Sequence, residues 1–208
     1  MNLATAERAA ICDEFDRTGP EAPTLSGDWD TRDLLAHLLV RERKPWASAG
    51  ILVPALASLT DAAMDSYASM PWAEMVGQLR GGAPVWSPFR IGAVDGLANG
   101  GEFFVHHEDV RRGRPGWEPR PPDADRDDAL WALLLRTGRL LHRSSPVGIV
   151  VRRPSGASHV LRPGPGVVTI VGEPGELVLH AFGRDAVRIE LEGAPADVAA
   201  LTATSRGL

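Results

Sequence analysis

The chain has only one cysteine, Cys12, among its 208 residues. A single cysteine cannot close an intramolecular disulfide, so we expect a fold held by its own core in a reducing compartment such as the cytoplasm. Runs of roughly 18 or more apolar residues are absent, which excludes a transmembrane helix. Residues 1–15 lack both a basic start and an uninterrupted apolar stretch, so no signal peptide is expected.

An excess of basic residues is also absent. The chain has 22 Lys and Arg against 27 Asp and Glu, a formal net charge of −5. This balance gives no general attraction to nucleic acid or to an anionic membrane, so we expect neither as a partner. The hydrophobic share of 44% and the charged share of 24% are those of an ordinary globular protein.

The first half of the sequence has helical periodicity. Amphipathic spacing and helix-breaking residues predict four helices there. They run from Leu3 to the Thr18-Gly19-Pro20 stop, from the N-cap residue Asp30 to Pro45, from Thr60 to Leu79 with an interruption near Pro71, and from Arg90 to Arg112.

A proline-rich stretch, residues 118–122, predicts a domain boundary. We expect a helical bundle over residues 1–122 and a small α+β domain over residues 123–208. The second part has a helical pattern followed by three β-branched runs, which are separated by Pro/Gly turns and predict a meander. A helix, a strand and a final helix follow, which gives the order αβββαβα.

The predicted fourth helix carries a line of polar residues with 4-3-4-3 spacing, which places them on one narrow face. They are Asp95, Asn99, Glu102, His106 and Asp109. Apolar residues border this line on both sides, as expected for a stripe that faces a bundle interior. Because burial of an unpaired carboxylate or imidazole is costly, the stripe must be solvated, paired internally or neutralised by a cation. A metal ion is the simplest of these solutions.

Glu102 and His106 are four residues apart, so their side chains meet above the helix. His37 in the second helix is the third candidate ligand, because a four-helix bundle could place it opposite that pair. Two histidines and a carboxylate suit zinc, with nickel or iron as alternatives, and leave a coordination position for water or substrate. Asp33 and Asp109 are expected to support the ligands from behind, although Asp109 could equally be a solvated carboxylate.

Two segments resemble a known family. Trp29-Asp30-Thr31-Arg32-Asp33-Leu34-Leu35-Ala36-His37-Leu38 and the segment from Glu102 to Arg112 are similar to the mycothiol-dependent maleylpyruvate isomerase family, which belongs to the DinB-like metal-binding bundles. The resemblance implies a DinB-like four-helix bundle whose divalent metal, usually zinc, is held at the positions of His37, Glu102 and His106. The stretch from Gly172 to Leu177 and Phe182-Gly183-Arg184 resemble the family's sterol-carrier-like C-terminal domain.

The resemblance also implies an activity. Enzymes of this family use the metal to activate mycothiol, a small thiol of actinobacteria, and an arginine of the C-terminal domain acts on the substrate; that role falls on Arg184. We therefore expect a metal-dependent thiol transferase or isomerase that acts on a small electrophile. Two alternatives stay open: a non-catalytic protein that holds a metal and an apolar ligand, and a metal-dependent hydrolase that needs no thiol.

Overall fold

The computed structural model describes residues 2–44, 46–47, 57–87 and 92–207, with the backbone alone for residues 57 and 92–98. The chain divides into two compact units, Met1–Trp117 and Glu118–Leu208. Helices and strands are both present, so the protein belongs to the mixed α and β class. Among the described residues, no helix combines the length and the apolar character needed to cross a membrane.

The described part of the first unit contains five helices. They are α1 (Leu3–Thr18), α2 (Thr31–Arg43), α3 (Ala57–Asp65), α4 (Trp72–Arg80) and α5 (Gly92–Arg112). The interruption predicted near Pro71 is a full break, because Pro71 directly precedes α4 and the predicted third helix is two separate helices. The predicted start of the fourth helix at Arg90 lies outside the described residues, and the remainder of that helix is α5.

The core of the first unit lies between α1, α2, α4 and α5. Helix α1 packs against α4 and α5, and α2 packs against α3 and α4. The largest side chains of this core are fully buried, among them Phe15, Leu35, Met75 and Phe103. Cys12 is buried in the same cluster, and burial raises the pKa of its thiol to about 12. The single cysteine is therefore an apolar core residue.

Helix α2 begins with a capping box. The side chain of Asp30 accepts hydrogen bonds from the backbone N–H groups of Arg32 and Asp33, at 2.8 and 3.0 Å. In return, Oδ2 of Asp33 accepts from the backbone N–H of Asp30 at 3.3 Å. These bonds satisfy N–H groups that have no partner inside the helix. The cap fixes the start of the helix that carries His37.

The loop of residues 19–30, between α1 and α2, lies against the C-terminal end of α5. The backbone N–H of Leu25 donates to the carbonyl oxygen of Asp109 at 3.1 Å. A Cβ atom at Gly113 would lie 2.0 Å from the carbonyl oxygen of Pro23, a distance that no side chain permits. The absence of a side chain at Gly113 is therefore what lets the loop approach α5.

The second unit has the order of elements that the sequence predicts. They are α6 (Ala124–Leu141), β1 (Gly148–Arg152), β2 (Ser158–Arg162), β3 (Val167–Gly172), α7 (Pro174–Ala181), β4 (Ile189–Glu192) and α8 (Pro195–Thr202). Helices α6 and α7 pack against each other, α6 contacts β2, and α7 and α8 contact β3.

The prediction of a meander is wrong. The strand order in the sheet is β2-β1-β3-β4, with β1 antiparallel to β2 but parallel to β3. Strand β2 is therefore an edge strand, and three of its five residues are exposed, whereas the central strands β1 and β3 carry most of the buried positions. Between β2 and β3 the chain must therefore pass the start of β1. Gly164 of this connection lies against Gly148, the first residue of β1, and a Cβ atom at Gly164 would be only 2.7 Å from the backbone nitrogen of Gly148.

Candidate metal centre

The structure brings together the three residues that the sequence predicts as ligands. His37 on α2 and Glu102 and His106 on α5 each place a potential ligand atom within 4.8 Å of the other two. The imidazole rings of His37 and His106 meet edge to face, with centroids 5.3 Å apart and planes at 73°. The set therefore joins two helices that are distant in sequence.

His106 is held from behind by a carboxylate. Its Nδ1 lies 2.9 Å from Oδ2 of Asp109, a fully buried residue, and the hydroxyl of Ser26 donates to the same oxygen at 2.8 Å. Its Nε2 lies 3.4 Å from Oε2 of Glu102. A carboxylate on one nitrogen orients the ring and directs the other nitrogen to the site, an arrangement common among metal-binding histidines.

His37 has a buried nitrogen that needs a partner. The residue is 6% exposed, and its Nδ1 has no hydrogen-bond partner among the described residues. The ring of Trp29 lies beside it, with centroids 5.2 Å apart. Burial, and secondarily His106, lower the pKa of His37 to about 3, so the imidazole is neutral at pH 7 and keeps a lone pair. Buried polar atoms are rarely left without a partner, and coordination of an ion would satisfy this imidazole.

Glu102 is charged and shared between two neighbours. Its Oε2 lies 2.6 Å from Nη1 of Arg41, and Nη2 of Arg41 donates to Oδ1 of Asn99 at 3.3 Å. Burial opposes ionisation of Glu102, but His106 and Arg41 outweigh it and hold the pKa of the carboxyl below its usual range. The site therefore offers a carboxylate rather than a carboxylic acid.

The balance of charge around His106 also suits a cation. Burial opposes its charged form, yet hydrogen bonds to Asp109 and Glu102 raise the pKa of His106. The two carboxylates thus stabilise positive charge at this position, whether it is a proton or a metal ion. Because a metal ligand must give up its proton, a divalent ion would compete with protonation here. Two imidazoles and one carboxylate, with an orienting carboxylate behind, fit a divalent transition metal such as zinc.

The other residues of the predicted site have separate places. Asp33 completes the capping box of α2, so its carboxylate accepts a hydrogen bond at the start of the helix. It makes no hydrogen bond with Nδ1 of His37. The side chain of Asp95 lies outside the described residues. His107 is buried on another face of α5, where its Nδ1 lies 3.1 Å from Oε2 of Glu7 on α1. It is a packed histidine that lies apart from the candidate ligands.

Sequence reasoning missed Arg41 and Ser26. Arg41 follows His37 by four residues on α2, so the spacing that pairs Glu102 with His106 could have singled it out. No sequence spacing identifies Ser26, because only the tertiary fold brings its loop to Asp109.

Arg184, the predicted substrate-binding residue, belongs to the second unit. It follows Gly183, which lies just after the end of α7 and has a φ of 86°. Its Nη1 donates to the carbonyl oxygen of Phe182 at 2.8 Å.

Comparison with known proteins adds one finding about the fold. No protein family and no curated protein matches the sequence. Among solved structures, a mycothiol-dependent maleylpyruvate isomerase matches 91% of this chain with 90% of its own, at a TM-score of 0.58 and 16% identity. This chain shares that enzyme's fold. A variant of the isomerase with one histidine changed to alanine matches equally long segments at a TM-score of 0.61 and 14% identity. The predicted resemblance to the isomerase is thus confirmed for the fold.

Proposed function

We propose that the protein binds a divalent metal ion, zinc in the first place and nickel or iron as alternatives, through His37, Glu102 and His106. We further propose that it acts as a mycothiol-dependent transferase or isomerase on a small electrophile. The observation that carries both proposals is the convergence of these three side chains. The isomerase fold supports the reaction class. The two units would then be a DinB-like bundle and a sterol-carrier-like domain.

The residues of the centre would divide the work. A divalent ion held there would lower the pKa of a thiol in its open coordination position and so supply a thiolate, the stronger nucleophile. His37 and His106 would each supply an imidazole nitrogen to the ion, and Glu102 would supply a carboxylate oxygen. Asp109 keeps His106 in the orientation that presents Nε2. Trp29, beside His37, keeps water from one side of that ring.

Metal analysis of the purified full chain tests the first proposal. We expect about one divalent ion per chain, lost in His37→Ala and His106→Ala but retained in the control His159→Ala, which removes an exposed histidine of β2. Full occupancy in His106→Ala would refute the ligand assignment.

Assays of the metal-loaded protein with mycothiol and maleylpyruvate test the reaction. We expect thiol-dependent turnover that His37→Ala abolishes. Turnover of hydrolysable substrates without a thiol would instead identify a hydrolase. Binding of apolar ligands by a metal-loaded protein without any turnover would identify a carrier.

Arg184 is our proposed anchor for a substrate carboxylate. A guanidinium binds a carboxylate through two parallel hydrogen bonds, which a lysine cannot reproduce. Arg184→Lys should therefore lower turnover and leave metal content unchanged. Unaltered turnover in this variant would show that Arg184 does not bind the substrate.

A further inference from the structure

We propose that His142 and His180 form a second metal site, in the C-terminal unit, which binds copper(I) between two imidazole nitrogens. The site shares no residue with the candidate metal centre of the first unit. The inference therefore goes beyond the proposed function and does not depend on it. A bound ion would join the ends of α6 and α7.

The two histidines lie at helix ends. His142 caps the C-terminus of α6, and His180 lies in the last turn of α7. These helices pack against each other, and the two rings have centroids 5.9 Å apart and planes at 30°. The C-terminal end of a helix carries a partial negative charge, so both ends favour a cation between the rings.

Each ring has a buried nitrogen without a hydrogen-bond partner among the described residues. His142 is 2% exposed, and its Nδ1 donates to the carbonyl oxygen of Gly138 at 2.9 Å, which leaves a lone pair on the unpartnered Nε2. His180 is 5% exposed, and its unpartnered atom is Nδ1, which has a lone pair when Nε2 carries the proton. Buried polar atoms almost always have a partner, so two such atoms on adjacent rings indicate a binding site.

Protons do not compete for these nitrogens at neutral pH. Burial is the largest cause that lowers the pKa of both imidazoles, and the pKa of His180 falls to about 3. The nearby cation Arg206 forms an ion pair with Asp185, and its Nε donates to the carbonyl oxygen of His180 at 3.1 Å. Both rings are therefore neutral, which is the form of histidine that binds metals.

The distance between the rings suits one shared ion. A metal–nitrogen bond is about 2.0 Å long and a ring nitrogen lies about 1.1 Å from its centroid, so rings that share an ion have centroids at most about 6.2 Å apart. The observed 5.9 Å is within this limit. It is too long for a direct N–H···N hydrogen bond between the rings, which agrees with the absence of a partner for either nitrogen.

The number of ligands selects the ion. Zinc in proteins takes four ligands in most sites. In the described part of the chain, only His37, Glu102 and His106 form a cluster of three potential ligands, so His142 and His180 have no third side chain of this kind. Copper(I) has a filled d shell, accepts two nitrogen ligands in a line and carries a single charge, which is less costly to bury than two.

A water molecule between the rings is the alternative occupant. It would donate a hydrogen bond to each lone pair and would need no metal. The two occupants are distinguished by the ring nitrogens themselves, because a metal ion bonds to them directly. The decisive measurement is therefore a spectrum of these nitrogens.

The experiment uses the isotope-labelled full chain with zinc added first, so that the candidate metal centre is occupied. Silver(I) is the probe, because it has the same charge and coordination preference as copper(I) and is not oxidised by air. Its nucleus couples to a bonded nitrogen, so nuclear magnetic resonance of the histidine rings identifies the ligand atoms. Copper(I) affinity is measured without oxygen by competition with a chromophoric chelator. The variants are His142→Phe and His180→Phe, and the control is His159→Phe, at an exposed position of β2.

We expect one silver ion that couples to Nε2 of His142 and to Nδ1 of His180. Copper(I) affinity should fall by more than about 100-fold in each of the two variants, because one of two ligands is lost, and should be unchanged in His159→Phe. Silver(I) should also raise the thermal midpoint of wild type and of His159→Phe, because an ion that binds the native state stabilises it.

Four results would overturn the inference. Ring signals of His142 and His180 that do not respond to silver(I) would favour water between the rings. Coupling to one ring alone would exclude a shared ion. Equal affinity of this pair for zinc and copper(I) would overturn the choice of ion, and unchanged copper(I) affinity in both phenylalanine variants would place the ion elsewhere. The wild-type spectrum decides the question even if a variant does not fold, and none of these results bears on the candidate metal centre.

Discussion

Ser26 and Asp109 are 83 positions apart in the sequence, and the hydroxyl of Ser26 donates to Oδ2 of Asp109 at 2.8 Å. The same oxygen lies 2.9 Å from Nδ1 of His106. The loop before α2 is thereby connected to the orientation of a candidate ligand on α5. The geometry of the candidate metal centre therefore depends on this loop as well as on α2 and α5.

Replacement of Asp109 by asparagine should weaken metal binding roughly 10- to 100-fold, because the remote nitrogen of His106 loses its carboxylate. Ser26→Ala should have a smaller effect in the same direction, because the carboxylate stays. Competition with a chromophoric chelator measures both affinities. The control is Asp61→Asn, at an exposed position of α3. Equal affinities in wild type and Asp109→Asn would mean that Asp109 does not support the ligand.

Removal of the cap of α2 should destabilise the protein. Asp30→Ala deletes the side chain that accepts from the N–H groups of Arg32 and Asp33, which should cost about 1 kcal/mol. Urea titration of metal-free protein measures this loss. Asp28→Ala, an exposed change in the same loop, should leave the midpoint unaltered. A similar midpoint for both variants would argue against the capping box.

Acid should destabilise the second unit through His180. Burial, then Arg206 and His142, lower the pKa of His180 to about 3 from 6.5. Between these values the unfolded chain binds a proton that the folded chain does not, so the free energy of unfolding rises with pH by at most about 1.4 kcal/mol per pH unit. The contribution is complete above pH 6.5 and is lost as the pH falls toward 3.

Urea titrations at several pH values below 6.5 test this linkage. The dependence of stability on pH should be shallower in His180→Phe than in wild type, because the buried titratable ring is gone. His159→Phe, a change at an exposed position of β2, should keep the wild-type slope. Parallel curves for wild type and His180→Phe would contradict the role of His180.

A fragment that ends at residue 122 should fold and bind one metal ion. The compact first unit, Met1–Trp117, contains all three candidate ligands and the loop with Ser26. Circular dichroism and metal analysis of the fragment test this prediction. An unfolded or metal-free fragment would show that the second unit is needed to complete the first.

Local patterns predicted what depends on neighbours in the sequence. Helix periods, the Asp30 cap and the turn glycines predicted the order of elements in the second unit, and the spacing of Glu102 and His106 predicted two of the three candidate ligands. The interaction of His37 with that pair came from family resemblance, because only the tertiary fold decides which face of α2 meets α5. The contacts of Arg41 and Ser26 depend on the same packing.

The sheet illustrates the same limit. Strong turns on both sides of β2 predicted neighbouring strands in sequence order, yet β1 and β3 pair directly and in parallel. Which strand lies at the centre of the sheet depends on the whole unit, because the most apolar strands take the positions that the helices cover. A turn motif contains no information about which strands the helices pack against.

The close approach of Pro23 to Gly113 has a consequence for the diversity that this protein can tolerate. The φ angle of Gly113 is negative, so its backbone conformation is open to any residue and the restriction is purely spatial. Even the methyl group of alanine would overlap the backbone carbonyl of Pro23. In a randomised library selected for metal retention, position 113 should return glycine almost exclusively. The exposed loop position Asp28, by contrast, should accept many residue types. Gly113, which has no side chain and no functional group, would thus be among the positions of the chain that tolerate the fewest substitutions.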